Sequence, residues 1–335
     1  MTAFVEVRGL VKHFPIRKGI LKLASGDAVH AVNGIDFEIP RGTTLGLVGE
    51  SGCGKSTTAR MLVRLLRPTA GEVKIGGVDL ATLNGAELRR ARHDCQIVFQ
   101  DPFGSLDPRM NVADLIGEPI RVATDLSRAE RLRRVSDLLD KVGLPADSAE
   151  RHPHEFSGGQ RQRIGIARAL ALSPKFVVCD EPVSALDVSI QAQIVNLLKD
   201  LQDELELTYL FVSHDLAIVS QIADVVAVMY LGKIVEMADV RTLFNDPKHP
   251  YTKKLLDAVP RADPSRRGVR GTLGGELPSP INLPSGCSFH PRCPIAVPAC
   301  SAAESDLLDA TPGHRVACHL VHDPAYGTTT TANAS

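Results

Sequence analysis

Apolar and polar residues alternate along the first forty positions, in Phe4-Val5-Glu6-Val7 and again from Ala31 to Ile39. Side chains of a strand point to opposite faces in turn, so the pattern predicts antiparallel strands flanking an exposed loop from Ile16 to Val29. The period then changes. Short apolar runs at Thr44–Val48, Gln96–Phe99, Lys175–Cys179 and Thr208–Val212 read as buried strands, with a strand hairpin near Gly71 to Val78. Helical spacing covers Thr57–Leu66, about Asn111 to Val142, a capped segment from Ser157 to Leu172, and Ile190–Glu204. Strands alternating with helices predict a mostly parallel sheet, and the stretch around 111–142 reads as an all-helical insert. From Asp257 to Pro284 the chain turns rich in Pro, Gly and Arg, as a linker or strap would, and the Thr/Ala-rich Ala325–Ser335 is expected to be disordered.

The predicted strand Thr44–Val48 runs directly into Gly49-Glu50-Ser51-Gly52-Cys53-Gly54-Lys55-Ser56, and a helix follows from Thr57. Four residues between glycines and then Lys-Ser, between strand and helix, is the pattern of a phosphate-cradling loop. Gly49, Gly52 and Gly54 let the main chain approach phosphate oxygens, and the backbone N–H groups at a helix N-terminus point at the anion. Lys55 reaches the β/γ oxygens, and Ser56 offers a hydroxyl to Mg²⁺, a cation that takes oxygen ligands. Cys53 reads as a small filler within the loop. Downstream, the apolar run Phe176–Cys179 ends in Asp180-Glu181. Two acids beside a phosphate loop divide the work: Asp180 on Mg²⁺, Glu181 polarising the water that attacks the γ-phosphorus. Taken alone, the same pair would be a solvated strand end.

Composition narrows the setting. The 335 residues hold 38 basic and 39 acidic side chains for a net charge of −1, so nothing global recommends nucleic acid as a partner. No run of about 18 uncharged apolar residues occurs, and the N-terminus has no basic stretch followed by an apolar one, so the chain is expected to stay in the cytosol. Of seven cysteines, four crowd into Cys287, Cys293, Cys300 and Cys318. In a reducing compartment such a cluster suggests a metal before disulfides.

With these motifs in sequence, the chain resembles the ATP-binding cassette family over nearly all of residues 4–260. The resemblance implies an α/β fold: a P-loop NTPase core of RecA-like type, an antiparallel β subdomain and an α-helical subdomain at about 101–172, together the cassette of residues 4–256. Gln100 matches the glutamine that contacts Mg²⁺ and the attacking water. Ser157-Gly158-Gly159-Gln160 resembles the signature motif that grips the γ-phosphate held by the other protomer, which implies a dimer with ATP between its members. Asp187, in Ser184-Ala185-Leu186-Asp187, matches the loop that couples the two sites, and His214 the switch histidine. Phe14 matches the aromatic residue that stacks on adenine, a core phenylalanine being the alternative.

Three further segments resemble the ATPases of oligopeptide and dipeptide importers, nickel importers included: Gln100 to Met110, Ser184 to Gln193, and His249-Pro250-Tyr251-Thr252. The first is similar to the "F" type subunit, although Asp107 stands where that type commonly has asparagine. After a linker at 257–284, residues 285–322 resemble the small Cys-rich extension of these ATPases, in which four cysteines can hold a [4Fe–4S] cluster. Four thiolates suit tetrahedral zinc equally well, and unliganded cysteines remain the third reading. His290, His314 and His319 are candidate substitute ligands. The resemblance implies two membrane permeases, a second cassette ATPase in a hetero- or homodimer, and an external solute-binding protein acting indirectly, all at the cytoplasmic face of the membrane. The competing class, a soluble cassette ATPase of translation or DNA repair, usually carries tandem cassettes or a long coiled coil, and neither is present here.

Overall fold

A computed structural model describes residues 3–18, 23–101, 104–258 and 278–323. At its centre stand five parallel strands, β3 (Thr44–Val48), β6 (Cys95–Val98), β7 (Phe176–Asp180), β8 (Thr208–Ser213) and β9 (Val225–Tyr230), in the order β9-β3-β8-β7-β6. All of β3, β7 and β8 is buried. A strand buried on both faces needs apolar residues at every position, which is why these segments read as continuous runs instead of alternating ones. The two faces nevertheless fill different cores: Val177, Cys179, Tyr209, Phe211, Val226 and Val228 go to one, and Phe176, Val178, Leu210, Val212, Ala227 and Met229 to the other.

The first core is covered by α3 (Val112–Ala123), α4 (Arg128–Lys141), α5 (Gly158–Leu170), α6 (Val188–Leu205) and α7 (Leu216–Ile222). The second lies under α1 (Lys55–Leu62) and a four-stranded antiparallel sheet of β1 (Ala3–Lys18), β2 (Leu23–Pro40), β4 (Ala70–Ile75) and β5 (Val78–Asp79), ordered β2-β1-β4-β5. The helix α2 (Gly85–Ala91) precedes β6 and buries no residue. The expected loop from Ile16 to Val29 is corrected here. β1 extends into it as far as Lys18 and β2 begins within it at Leu23, the two still paired there, and register shifts such as the one between Pro15 and Arg17 break the alternation that would have shown the strands.

The other side of the large sheet has no counterpart in the sequence reading. β10 (Lys233–Asp239) runs antiparallel to β9, and two short strands, β11 (Leu308–Thr311) and β12 (His314–Val316), extend the sheet in the order β11-β12-β10. Buried Glu236 of β10 accepts from the ring Nε2 of His314 at 2.7 Å and from the backbone N–H groups of Lys248 and His249 at 2.7 and 3.0 Å. The rest of the expected linker before residue 278, and the tail Ala325–Ser335, lie outside the described residues.

His249 then caps α8 (Pro250–Asp257) by accepting the Tyr251 N–H on Nδ1 at 3.1 Å, so its proton sits on Nε2 and the ring is neutral. Burial, helped by the charge of Lys253, lowers its pKa to about 3. Below pH 6.5 the unfolded chain takes up a proton that the folded chain refuses, so this stabilisation is complete above 6.5 and shrinks as the pH falls. Urea unfolding of wild type and His249→Asn should therefore converge by at most about 2 kcal/mol between pH 6.5 and 5, the wild type losing more. Parallel curves across that range would mean that His249 does not titrate as argued.

Candidate nucleotide site

Backbone sterics place the loop between β3 and α1. Gly54 has φ +112°, and a Cβ there would stand 2.2 Å from the Ala31 carbonyl oxygen; at Gly49 it would stand 2.1 Å from that of Met229. Only glycine threads the loop between β2 and β9 at these points. Lys55, at 4% exposure, donates to the carbonyls of Gly49 at 2.8 Å and Glu50 at 3.0 Å. Cys53 is buried in the loop, its thiol pushed up first by burial, as a filler would be.

Around the loop opens a cavity of about 570 Å³ lined by Phe14, Val29, Ala31, Ser51, Gly52, Gly54, Lys55, Ser56, Thr57, Gln100, Glu181, His214 and Pro280. Phe14 is 36% exposed, with the Lys12 ammonium 4.9 Å from its ring centroid. At the other end, Ser56 Oγ donates to Asp180 Oδ1 at 2.7 Å. Burial raises the Asp180 pKa, while the Ser56 hydroxyl and the cations Arg60 and Lys55 oppose the shift. An oxygen-only pair of this kind fits Mg²⁺.

Glu181 follows the end of β7 in a left-handed conformation, φ 50°, pinned by its N–H to the Val212 carbonyl at 3.0 Å. Such backbone is uncommon for a residue with a Cβ and is held only where surrounding bonds over-determine it. Its Oε2 accepts from Gln100 Nε2 at 3.0 Å and meets His214 Nδ1 at 3.2 Å. Two side chains from the strand ends on either side thus converge on one Glu181 oxygen at the cavity that the loop lines.

Other expected residues sit apart. Gly49, Glu50, Cys53 and Asp180 do not line the cavity, though Gly49, Glu50 and Asp180 bond to Lys55 and Ser56, which do. Ser157 caps α5 reciprocally with Gln160, which its hydroxyl meets at 3.4 Å. None of Ser157, Gly158, Gly159 and Gln160 lines the cavity. A Cβ on Gly159 would lie 2.5 Å from Ile190, and one on Gly158 3.2 Å from Leu186, so this turn packs on the segment holding exposed Asp187. Beside it Val188 is 81% exposed.

Residues 32–184 match the family described as ABC transporter, and residues 235–300 the oligopeptide/dipeptide transporter C-terminal region. The oligopeptide transport ATP-binding protein AppF of Bacillus subtilis is 51% identical over 319 residues, covering 94% of this chain and 97% of the relative. This chain is a member of the ATP-binding cassette family. A putative peptide import ATP-binding protein of Brucella ovis is likewise 51% identical, over 95% of this chain and 98% of its own length. Among solved structures, the dimeric post-hydrolysis state of the cassette MJ0796 bound to ADP and Pi aligns with a TM-score of 0.63 at 29% identity, over 71% of this chain and 99% of that one. A second, cbiO1 from Clostridium perfringens, part of the transporter complex cbiONQ, aligns with a TM-score of 0.63 at 27% identity, over 73% and 92%. The cassette ATPase fold is therefore the fold of this chain, and ATP its substrate.

The expected [4Fe–4S] cluster or zinc ion on Cys287, Cys293, Cys300 and Cys318 is not matched by this cassette protein's geometry. No group of three or more His, Cys, Asp or Glu side chains is placed to hold a metal ion among the described residues. The candidate substitute ligands are engaged elsewhere: His290 Nδ1 with the Cys287 carbonyl, His314 with Glu236, and His319 Nε2 with the Ala303 carbonyl. Cys300 and Cys318 are buried, and Cys287 and Cys293 pack against the first core. Burial pushes the Cys318 thiol up to about 11, and raises those of Cys287 and Cys293. After burial, neighbouring thiols also raise these three: Cys300 and Cys293 act on Cys287, Cys300 on Cys293, and Cys287 and Cys293 on Cys318.

Sequence reading missed several contacts of the site. Tyr251 accepts the Glu50 N–H at 2.9 Å, Arg292 grips the Glu50 carboxylate, and Pro280 reaches the cavity wall. Their only signal was the presence of Tyr251 and Arg292 in segments already singled out by resemblance.

Proposed function

We propose that this chain is the ATP-hydrolysing subunit of a di- or oligopeptide importer, acting at the cytoplasmic face of the membrane beneath two permeases. The observation that carries the chemistry is the convergence of Gln100 and His214 on Glu181 Oε2, across a cavity from Lys55 and Ser56. Adenine stacks on Phe14, and the phosphates lie on Ser51–Thr57, where Lys55 neutralises charge. Ser56 and Asp180 hold Mg²⁺, which supplies charge neutralisation at the phosphates. Glu181 accepts a proton from the attacking water as its oxygen bonds to the γ-phosphorus and the bond to the bridging oxygen of ADP breaks. Gln100 and His214 hold the Glu181 carboxylate in place, so both read the state of the γ-phosphate.

Dimerisation brings Ser157–Gln160 to ATP held by a second cassette subunit. The exposed Val188 beside Asp187, and the absence of the signature turn from its own cavity, favour this arrangement. The "F" type resemblance favours a heterodimer. A groove lined by Gly104, Ser105, Leu106, Asp107, Arg109 and Met110 receives a permease helix, and Arg168 braces it through the Ser105 carbonyl at 2.6 Å. We divide the chain into a cassette at 4–256, a strap at 257–284, the extension at 285–322 and a tail at 325–335. Among the described residues no helix is long and apolar enough to cross a membrane, so permeases must supply the path.

The test is to tag the chain in its native cell, solubilise membranes gently and identify co-purifying proteins by mass spectrometry. Two permeases with a second cassette ATPase are expected. Recovery with ribosomes or repair proteins and no permease would overturn the transport reading.

A further inference from the structure

The phosphate loop is held from a distance of 242 residues. Arg292, in a short turn after Phe289, makes a two-pronged ion pair with Glu50, Nη1 to Oε2 at 2.7 Å and Nη2 to Oε1 at 3.0 Å. The Arg292 side chain is 5% exposed and that of Glu50 21%. Tyr230 contributes its hydroxyl, 3.4 Å from Arg292 Nη1, and Tyr230, Tyr251 and Phe289 pack ring against ring around the pair. The main chain of Glu50 is tied as well, its N–H to Tyr251 Oη and its carbonyl to Lys55 Nζ. A continuous set of bonds therefore runs from Arg292 through Glu50 to the ammonium that meets the phosphates.

Charge gives this link its purpose. A carboxylate within a loop that must receive a triphosphate opposes binding unless a cation offsets it, and screening is weak for a pair so little exposed. A planar guanidinium matches a carboxylate in both position and charge. The same C-terminal segment touches the site a second time: the Pro280 carbonyl accepts the His30 N–H at 2.8 Å, and Pro280 lines the cavity together with Phe14.

We propose that Arg292 is a positioning residue of the nucleotide site, neutralising Glu50 and setting the loop for ATP, so that the C-terminal segment is a working part of that site. This rests on the ATP site described above. Calorimetric titration of the full-length chain with MgATP tests it. Arg292→Met is expected to weaken binding about tenfold by leaving Glu50 unneutralised. Adding Glu50→Gln removes the offending charge, and Arg292→Met/Glu50→Gln should bind within about threefold of the parent. A purely structural role for Arg292 would give no such rescue. Arg292→Lys keeps the charge but loses the fork, and should fall between, which keeps the test sound should Arg292→Met fold poorly. A double variant as weak as Arg292→Met, or an Arg292→Lys variant as weak as Arg292→Met, overturns the proposal. Lys55→Ala serves as the control: if it too leaves MgATP binding intact, the placement of the site is wrong, whereas loss in Lys55→Ala with none in Arg292→Met sinks this inference alone.

Discussion

Glu181→Gln should lower steady-state ATP hydrolysis by about 10²–10⁴-fold while the protein continues to bind ATP, because a general base contributes a rate factor of that size. The substitution is nearly isosteric. It keeps one oxygen able to accept from Gln100 Nε2 and to meet His214 Nδ1, so the left-handed backbone at residue 181 and the surrounding bonds have no reason to rearrange. What is lost is the ability to take a proton from the attacking water. Closed dimers with ATP between them then persist, since hydrolysis is what would open them. Phosphate release and size-exclusion chromatography with MgATP check both halves. Turnover within threefold of wild type would remove Glu181 from the role of base, and loss of turnover together with loss of ATP binding would make it a structural residue.

Lys55→Ala is expected to abolish measurable ATP binding at micromolar nucleotide. Lys55 is 4% exposed and already fixed by two loop carbonyls, so its charge is placed before ATP arrives and little entropy is lost when phosphate oxygens join it. Truncating one partner of a buried, hydrogen-bonded charge pair costs about 2–5 kcal/mol, or about 30-fold upward in Kd. Thermal stability without nucleotide provides the contrast: the variant leaves two loop carbonyls without their donor, a loss of about 1–3 kcal/mol, while nucleotide binding disappears. An unchanged Kd for MgATP would show that the phosphates do not lie on this loop.

Much of this was written in local sequence. The loop Gly49–Ser56, the acids after Phe176–Cys179 and the histidine after Thr208–Val212 each sit at the end of a short apolar run, and parallel strands bring such ends to one edge of a sheet. Adjacency in the sheet turns three separate strand ends into one carboxylate with two partners, Gln100 and His214. What remained hidden depends on distance or on short elements. β11 and β12 have four and three residues, too few for any period to register, and β12 joins β10 across a buried His314–Glu236 contact 78 residues apart. The Arg292–Glu50 pair leaves no trace in spacing at all. The cysteine pattern showed proximity and not ligation: Cys287 N–H bonds to the Cys300 carbonyl, while no group of three or more ligand side chains is placed for a metal among the described residues.

The short strand β12 has one more consequence. It covers β10, whose Ile234, Val235, Met237 and Ala238 are buried, and the four-residue β11 in turn presents a short, mostly exposed rim to solvent. Strip away residues 308–316 and a long apolar strand becomes the border of the sheet, with its main-chain donors and acceptors open to any other chain that can add a strand. A cassette trimmed after the ATP-binding motifs would retain every catalytic side chain yet expose a new sheet edge, so self-association is the expected result of such a truncation.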